Sequence, residues 1–434
     1  MSQDKDNHIE IFLYPPGETE AVPAGQYRFD PDTSLGTFTY HRDYLSLKNK
    51  LPVDPVNLPL ANGTKPVSIT LGPWAEGRYR LFGTLRDSLP DSWGRGLMAF
   101  VHGLPVENPD PEPLMRLSHN QRIGNLDFRA RKDQGEKEQI DFSSVDWDKL
   151  IFTVAGLERG LYKPLERDSL LYLERTSLGG ARPKTLYFDG QDLWLAKLPS
   201  IHDVWNEARI ELATTALAGN CGLKIPEMKI ITAQSGDVLL SKRFDRLPIA
   251  RGFARLGYFS CQTALDSLRA YKYEQSYLNY ADILRTKFPK NWTSELGRDL
   301  FKRMCFNVLI RNTDDHALNH GCLFSADGIW PAPVFDLVPD FLPKELIGPF
   351  TLSMVCGPAG KKADWNNILA GASHFGLDQK EASVLIQDLA LKMSGWRDHY
   401  SSYGVSGDDI IKFEGCLDSH IHANALQLGE TPEC

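Results

Sequence analysis

The feature that most constrains the fold is a strand-turn-strand pattern between residues 175 and 199. The segments KTLYF and DLWLAKL flank Asp189 and Gly190, and a DG pair between two apolar runs is a strong signal for a β-hairpin. The next segment, VWNEARIELATTALAGNCGL, has apolar residues at helical spacing, and KIPEMKIITA and DVLLSKRF return to a strand pattern. Hairpin, helix and further strands in this order predict a fold of the α+β class.

The sequence before this hairpin region predicts a small domain of mixed structure that ends near residue 110. Short strand-like segments, IEIFLY, GQYRFD and GTFTYH, are separated by turn residues. The stretch HGLPVENPDPEPLMRLSHN follows, and its prolines disfavour a long helix or a central strand. We interpret this stretch as a linker or loop.

From about residue 246 the pattern becomes helical. In DQKEASVLIQDLALKM, Asp378 and Glu381 have the spacing of a capping box. Apolar residues then recur on one helical face: Ala382, Leu385, Ile386, Leu389 and Met393. In SELGRDLFKRMCFNVLIRN the same spacing predicts a second apolar stripe: Leu296, Leu300, Met304 and Val308.

Several classes of protein are disfavoured by composition. No stretch approaches the roughly 20 apolar residues of a membrane span, and the polar start MSQDKDNHIE does not resemble a signal peptide, so we expect a cytoplasmic protein. The seven cysteines contain no CxxC pair, which argues against a disulfide framework or a zinc site. A net charge of −8 argues against a broad basic surface for nucleic acid.

The main candidate for chemistry is the segment NTDDHALNHGCLF, residues 312 to 324, on a loop directly after a predicted helix. Asp314 precedes Asn319 by five positions. Protein kinases use this interval between the Asp that orients the substrate hydroxyl and the Asn that holds a metal ion. Because Asp and Asn are also common turn residues, the alternative is a capped turn with Asp315 and His316 as its polar surface.

Two elements of the strand-rich region suit a nucleotide. SLGGARPK is a glycine-rich loop before a strand, where the backbone can approach phosphates, although an ordinary flexible loop fits it equally well. Lys197, on the second hairpin strand, can neutralise phosphates, and Glu207 or Glu211 of the next helix is the candidate for its carboxylate partner. A lysine that extends to solvent from an alternating strand is the alternative for Lys197.

Asp336, in APVFDLVPD, is an acidic residue inside an apolar run. Burial of an unpaired carboxylate is costly, and Mg²⁺, which prefers one or two carboxylates together with phosphate and water oxygens, would satisfy it. A turn aspartate is the alternative. The glycine loop, strand lysine, helix glutamate, Asp314, Asn319 and Asp336 follow one another in the order of a kinase sequence, which favours that function. The segment LLSKRFDRL is then the hinge over which adenine lies.

Five segments together resemble the HipA-like serine/threonine kinases, the toxins of bacterial toxin and antitoxin pairs: SLGGARPKTLY, LAKLP, KRFDR, NTDDHALN and PVFDLVP. The N-terminal FGTLRDSLPDSWGR resembles the stretch before the kinase core of this family. The resemblance implies ATP and Mg²⁺ as cofactors and gives roles to individual positions. These roles are catalysis for Asp314, magnesium binding for Asn319 and Asp336, phosphate binding for Lys197, Gly179, Gly180 and Ala181, an adenine contact for Phe244, and inhibitory autophosphorylation for Ser177. His316 is a further candidate for a phosphate contact, with loop packing as its alternative.

The resemblance also implies an architecture and partners. The expected fold is a bilobal, protein-kinase-like fold with an extra N-terminal subdomain (1–110), a strand-rich N-lobe (111–245) and a helical C-lobe (246–434). Expected substrates are proteins of translation, notably aminoacyl-tRNA synthetases. The expected partner is a separate helix-turn-helix antitoxin, through which alone this chain would meet DNA. Asp315 and Lys242 depart from the prototype toxin, which has Gly and Glu there.

Two other functions remain open from the residues themselves. A metal-dependent hydrolase would use Asp314, Asp315, His316 and Asp336 as a two-metal site, and would need neither the glycine loop nor Lys197. A nucleotide-binding pseudokinase that acts as a corepressor with a DNA-binding antitoxin is the other alternative.

Overall fold

The computed structural model describes residues 8–30, 35–70, 81–90, 92–105, 111–130, 142–161, 167–174, 181–268, 274–341, 343 and 348–428. Within these ranges the chain contains both helices and antiparallel sheets, so the α+β prediction is confirmed. No helix in the described part of the chain is long and apolar enough to cross a membrane.

The described strands are β1 (His8–Leu13), β2 (Val22–Asp30), β3 (Leu35–Tyr40), β4 (Val67–Thr70), β5 (Leu126–Ala130), β6 (Lys184–Phe188), β7 (Leu193–Lys197), β8 (Met228–Ala233), β9 (Gly236–Lys242), β10 (Arg246–Ile249), β11 (Gly252–Arg255), β12 (Gly257–Ser260), β13 (Gly321–Ser325) and β14 (Gly328–Pro331). They form sheets of order β4-β3-β2-β1-β5, β6-β7-β9-β8, β10-β11 and β12-β13-β14.

The described α-helices are α1 (Arg42–Ser46), α2 (Gly83–Asp87), α3 (Ser92–His102), α4 (Pro111–Leu117), α5 (Trp147–Glu158), α6 (Arg167–Glu174), α7 (Glu207–Asn220), α8 (Cys261–Asp266), α9 (Tyr277–Lys287), α10 (Ser294–Leu309), α11 (Trp365–Ala370), α12 (Gln379–Met393), α13 (Trp396–Ser402), α14 (Gly407–Leu417) and α15 (His420–Leu426). Short 3-10 helices occupy Leu60–Asn62, Ala317–Asn319 and Ala372–Phe375.

The chain divides into two compact units. The N-terminal unit comprises Met1–His202, Ile231–Phe259 and Leu323–Gly328. The C-terminal unit comprises Asp203–Ile230, Ser260–Cys322 and Ile329–Cys434. The three-part division expected from sequence (1–110, 111–245 and 246–434) and the bilobal arrangement both stay predictions.

The predicted hairpin at Asp189 and Gly190 is present, with β6 paired to β7 in an antiparallel register. A four-residue loop connects the strands. It is closed by the Asp189 carboxylate, which accepts hydrogen bonds from the backbone N–H of Asp192 (2.9 Å) and from the indole N–H of Trp194 (2.8 Å). Gly190 has a φ of +95°, which a side chain would disfavour. The turn chemistry therefore fixes the register in which β6 and β7 present their side chains.

The helical region agrees with the predicted pattern in its two long helices. Both hydrogen bonds of the capping box between Asp378 and Glu381 are present at the start of α12. Residues 246 to 260, by contrast, form β10, β11 and β12, so the run of helices begins at Cys261. The strands were missed because each is only four residues long, too short to show a clear period of two.

A buried cluster of charges joins distant segments inside the N-terminal unit. Asp245 is 1% exposed and receives a bidentate pair of 2.7 Å hydrogen bonds from Arg243. It also accepts from Arg246 at 2.7 Å and from the backbone N–H of Gly124 at 2.8 Å. Arg243 and Arg246 in turn donate to the carbonyl of Arg122. The loop at residues 122–124 is therefore fastened to the end of β9 and the start of β10.

Electrostatics show why this cluster is stable. Burial by itself would raise the pKa of the Asp245 carboxyl, but the Arg243 and Arg246 guanidiniums outweigh that effect and hold the pKa well below its usual range. The carboxylate is thus ionised at neutral pH and attracts both buried guanidiniums. Removal of one member of such a group leaves uncompensated buried charge.

We therefore expect Asp245→Asn to lower the free energy of unfolding by roughly 3–5 kcal/mol. Urea unfolding followed by tryptophan fluorescence measures this change. The control is Asp327→Asn, which alters an exposed turn carboxylate and is expected to stay within about 0.5 kcal/mol of the wild type. A loss below about 1 kcal/mol for Asp245→Asn would show that the cluster contributes little to stability.

Candidate active site

The loop that follows α10 begins with a tight helix cap. Arg311 has a φ of +56°, which is unusual for a residue with a side chain. The backbone N–H of Asn312 donates to the carbonyl of Asn307 at 2.8 Å, and that of Arg311 to Val308 at 3.1 Å. These two bonds form a Schellman motif with arginine in the usual place of glycine. The cap directs the chain away from the helix axis immediately before Asp314.

Asp314 and Asp315 lie in opposite environments although they are adjacent. Asp314 is exposed, whereas Asp315 is only 1% exposed. The capped-turn alternative, which placed Asp315 and His316 on the surface, is therefore wrong for Asp315. His316 is half-buried, and its Nδ1 atom is buried without a hydrogen-bond partner among the described residues.

The Asp315 carboxylate makes one strong contact inside the loop. Its Oδ1 atom lies 2.8 Å from Nε2 of His320, which is itself 5% exposed. The same Nε2 lies 3.2 Å from the hydroxyl oxygen of Tyr277 at the start of α9. The Oδ2 atom of Asp315 is buried and has no hydrogen-bond partner in the part of the chain that the structure describes.

The hydrogen-bonded chain continues to Asp336. Asn307 Nδ2 donates to the Tyr277 hydroxyl at 3.4 Å, and Asn312 Nδ2 donates to Asn307 Oδ1 at 3.0 Å. Asn312 Nδ2 also lies within 3.5 Å of the backbone carbonyl of Asp336. One network of polar side chains thus connects the loop with the backbone of the predicted metal ligand.

The predicted metal ligands Asn319 and Asp336 come from neighbouring parts of the C-terminal unit. Asn319 lines a small cavity together with Phe335 and Leu337, the two residues that flank Asp336. Asp315 lines this cavity too. Asp336 is half-buried and has a φ of +56°. Residues held in this left-handed region cluster at functional sites, where the surrounding structure maintains the strain.

The predicted nucleotide residues of the N-terminal unit are only partly described. Ser177, Gly179 and Gly180 lie outside the described residues, while Ala181 is exposed and precedes β6. Phe244 is half-buried and lies two residues after the end of β9. Their contacts with a nucleotide stay predictions.

Lys197 ends β7 in the N-terminal unit and is half-buried. Glu207 and Glu211 belong to α7 of the C-terminal unit, so their pairing with Lys197 stays a prediction. Lys184 stands directly opposite Lys197 in the hairpin register and is 4% exposed. Lys184 was not among the predicted site residues, although pairing the residues of the two strands outward from the Asp189 turn places it opposite Lys197.

The two-metal hydrolase alternative requires several metal-binding side chains close together. The described residues contain no group of three or more His, Cys, Asp or Glu side chains that could hold a metal ion. All four residues of the two-metal hydrolase alternative are described, and Asp315 bonds His320 instead. The arrangement therefore does not support the hydrolase.

Residues 176–396, which include the hairpin, the loop and Asp336, match the family of HipA-like C-terminal domains. The chain belongs to the HipA-like family. The resemblance found in the sequence is thereby confirmed. A curated relative, the serine/threonine-protein kinase toxin HipA of Shewanella oneidensis, is 28% identical over 187 residues, a match that covers 38% of this chain and 43% of that protein. This alignment thus spans less than half of the curated relative's length.

Solved structures extend the likeness to the whole fold. HipA from the Shewanella oneidensis complex of HipA, HipB and operator DNA superimposes with a TM-score of 0.64 over 96% of each chain, at 16% identity. The HipA-like fold is therefore shared along nearly the full length. The Helicobacter pylori proinflammatory kinase CtkA, also 16% identical, gives a TM-score of 0.43 over 58% of this chain and 93% of that kinase, which is too low to establish a common fold.

The left-handed backbone at Asp336 leads to a stability prediction. Asp336→Val should lower the free energy of unfolding by about 1–2 kcal/mol, because a β-branched side chain clashes with its own backbone at positive φ. Asp336→Asn is the matched control and should stay within about 1 kcal/mol of the wild type, because asparagine tolerates this region. Urea unfolding compares the two, and equal stability of both variants would show that Asp336 leaves this conformation in solution.

Proposed function

We propose that this protein is a Mg·ATP-dependent serine/threonine kinase of the HipA-like type. The observation that carries the proposal is the arrangement of the C-terminal unit. There, Asp314 is exposed on a loop, and Asn319 of the same loop lines one cavity with both neighbours of Asp336. Membership of a family that includes a named serine/threonine kinase toxin supports it further.

Asp314 is the proposed catalytic residue. As an exposed carboxylate it can accept a hydrogen bond from a serine or threonine hydroxyl and direct the oxygen toward the γ-phosphorus. Phosphoryl transfer asks for positioning and charge neutralisation more than for covalent chemistry by the protein. A loop that is capped at its start by the Schellman motif and bonded internally through Asp315 suits that task.

Asn319 and Asp336 would hold the metal. An amide oxygen and a carboxylate are hard oxygen ligands of the kind that Mg²⁺ takes, with phosphate and water oxygens completing the shell. When bound, Mg²⁺ would neutralise phosphate charge, and Asn319 and Asp336 would hold the ion at a fixed position relative to Asp314.

Lys197 and Lys184 are proposed to attract the phosphates. The hairpin register places these two lysines directly opposite each other, so a polyphosphate near one of them would also be near the other. Both lysines also interact within the protein, so their role is to supply local positive potential. Phe244 is proposed to contact adenine, and His316 is proposed to reach a phosphate.

The proposed acceptor is a protein of translation, and the family resemblance alone suggests an aminoacyl-tRNA synthetase. The proposed partner is a separate helix-turn-helix antitoxin, and the HipA structure that shares this fold was solved with HipB and operator DNA. A net charge of −8 is unfavourable for direct contacts with DNA phosphates, so we assign the DNA contacts to that partner.

The catalytic assignment is tested with phosphatase-treated protein incubated with Mg·ATP and followed by intact mass. The wild type should gain phosphate, whereas Asp314→Asn should gain it at least about 100-fold more slowly, because a positioned acid-base group contributes roughly 10²–10⁴-fold. ATP affinity of the variant, measured by calorimetry, should be close to that of the wild type.

Asp327→Asn serves as the control, since Asp327 is exposed on the turn between β13 and β14. It should modify itself at the wild-type rate. Equal rates for the wild type and Asp314→Asn would remove Asp314 from the mechanism. ATP binding by the wild type without transfer to itself or to any protein of a lysate would favour the pseudokinase.

Ser177 is proposed to silence the enzyme once it is phosphorylated. A phosphate adds nearly two negative charges beside the nucleotide phosphates, so activity should fall as the modification accumulates. Ser177→Ala should keep its activity during preincubation with Mg·ATP, measured as transfer to a generic protein acceptor, while the wild type loses activity. Loss at the same rate in both proteins would contradict this regulation.

A further inference from the structure

We propose that Asp315 is a positioning residue whose hydrogen bond to His320 closes the catalytic loop and sets the distance between Asp314 and Asn319. The inference rests on the proposed function, because it concerns how that loop works. It assigns a role to a residue that differs from the glycine of the prototype toxin.

The geometry of the clamp follows from the sequence positions of its two ends. Asp315 directly follows Asp314, and His320 directly follows Asn319. Consecutive Cα atoms are about 3.8 Å apart, so a 2.8 Å bond between Asp315 and His320 restrains the backbone at both proposed functional residues. The 3-10 turn at Ala317–Asn319, closed by the 2.9 Å bond from Asn319 N–H to the His316 carbonyl, fills the space between them.

Burial makes this clamp stiff. Asp315 and His320 are 1% and 5% exposed, so water competes little for their hydrogen bond and the low local dielectric strengthens it. The Oδ2 atom of Asp315 has no partner among the described residues. A buried acceptor without a partner costs free energy, which favours a role for Asp315 in positioning the loop over a role in core stability.

Two helices provide the fixed reference for the clamp. His320 contacts Tyr277 of α9, and Tyr277 is bonded to Asn307 of α10. From there Asn312 reaches the carbonyl of Asp336. Functional groups are placed most accurately when such supporting hydrogen bonds come from rigid elements. Asp315 is the end of this network that lies next to Asp314.

Amide hydrogen exchange on the nucleotide-free protein tests the clamp independently of catalysis. Asp315→Ala should speed exchange of residues 316–320 at least about 10-fold, because the loop loses its internal bond. Asp315→Asn keeps an oxygen that can accept from His320 and should stay within about 3-fold of the wild type. Asp282→Ala removes another His–Asp contact, the 2.7 Å pair of Asp282 with His374, and should leave exchange in this loop unchanged.

The same variants are then compared as kinases. Asp315→Ala should lower kcat about 10–100-fold, the usual loss when a residue that orients a metal ligand is removed. It should also raise about 10-fold the free Mg²⁺ concentration that gives half-maximal activity, with the KM for ATP at saturating Mg²⁺ unchanged within about 2-fold. Asp315→Asn should recover most of the Mg²⁺ response.

A double variant keeps the test decisive if Asp315→Ala folds poorly. Asp315→Leu with His320→Phe replaces both partners by apolar side chains, which preserves stability better than removal of one. It should still show fast loop exchange and the shifted Mg²⁺ response. Wild-type exchange and wild-type Mg²⁺ dependence in this folded double variant would overturn the inference.

Failure of the proposed function is distinguishable from failure of the clamp. A wild type that neither binds Mg·ATP nor transfers phosphate would refute the kinase, and the exchange experiment would then decide the clamp alone. An active wild type whose Asp315→Ala variant keeps normal loop exchange and a normal Mg²⁺ response would refute the clamp and leave the kinase standing.

Discussion

The buried carboxylate of Asp245 makes the ion pairs and hydrogen bonds that join distant segments of the N-terminal unit. It pairs with Arg243 and Arg246 and accepts the backbone N–H of Gly124, so one charged group connects segments that are more than a hundred residues apart in the chain. The same strand-to-loop segment carries Phe244, the proposed adenine contact. Hydrogen bonds between charged groups thus restrain the backbone directly after Phe244.

In the C-terminal unit, buried polar contacts likewise hold the backbone beside proposed functional residues. Arg311 and Asp336 both adopt a φ of +56°, and both lie next to the polar network that contains Asn307 and Asn312. Left-handed backbone at residues with side chains is unfavourable, so it persists only where surrounding hydrogen bonds determine it. The network holds the two strained positions and the clamp between Asp315 and His320, and the exposed carboxylate of Asp314 emerges from this rigid base.

The elements with strong local signals were predictable from the sequence. The hairpin at Asp189, the capping box at Asp378 and the loop position of Asp314 all follow from short-range chemistry, in which neighbouring residues satisfy one another. The inward direction of Asp315 and the four-residue strands from Arg246 to Ser260 were not predictable. The strands are too short to show a clear period of two, and the loop sequence does not show which of its two adjacent aspartates is buried. For Asp315 the partner, His320, is only five residues away, but both line a cavity with residues of α10, which a local sequence pattern does not show.

By itself, the sequence determined the residue types and intervals that point to a HipA-like kinase. The carboxylates, the amide and the lysine of that motif set are recognised by their side-chain chemistry and by their order along the chain. It also determined where strands turn and helices begin, because caps and tight turns are satisfied locally. Only the tertiary structure decided which of two adjacent aspartates faces solvent and that a polar network connects Tyr277 and Asn307 with the backbone of Asp336. The physical reason is that burial and pairing depend on the packing of distant segments, and a change of environment gives the same side chain a different role.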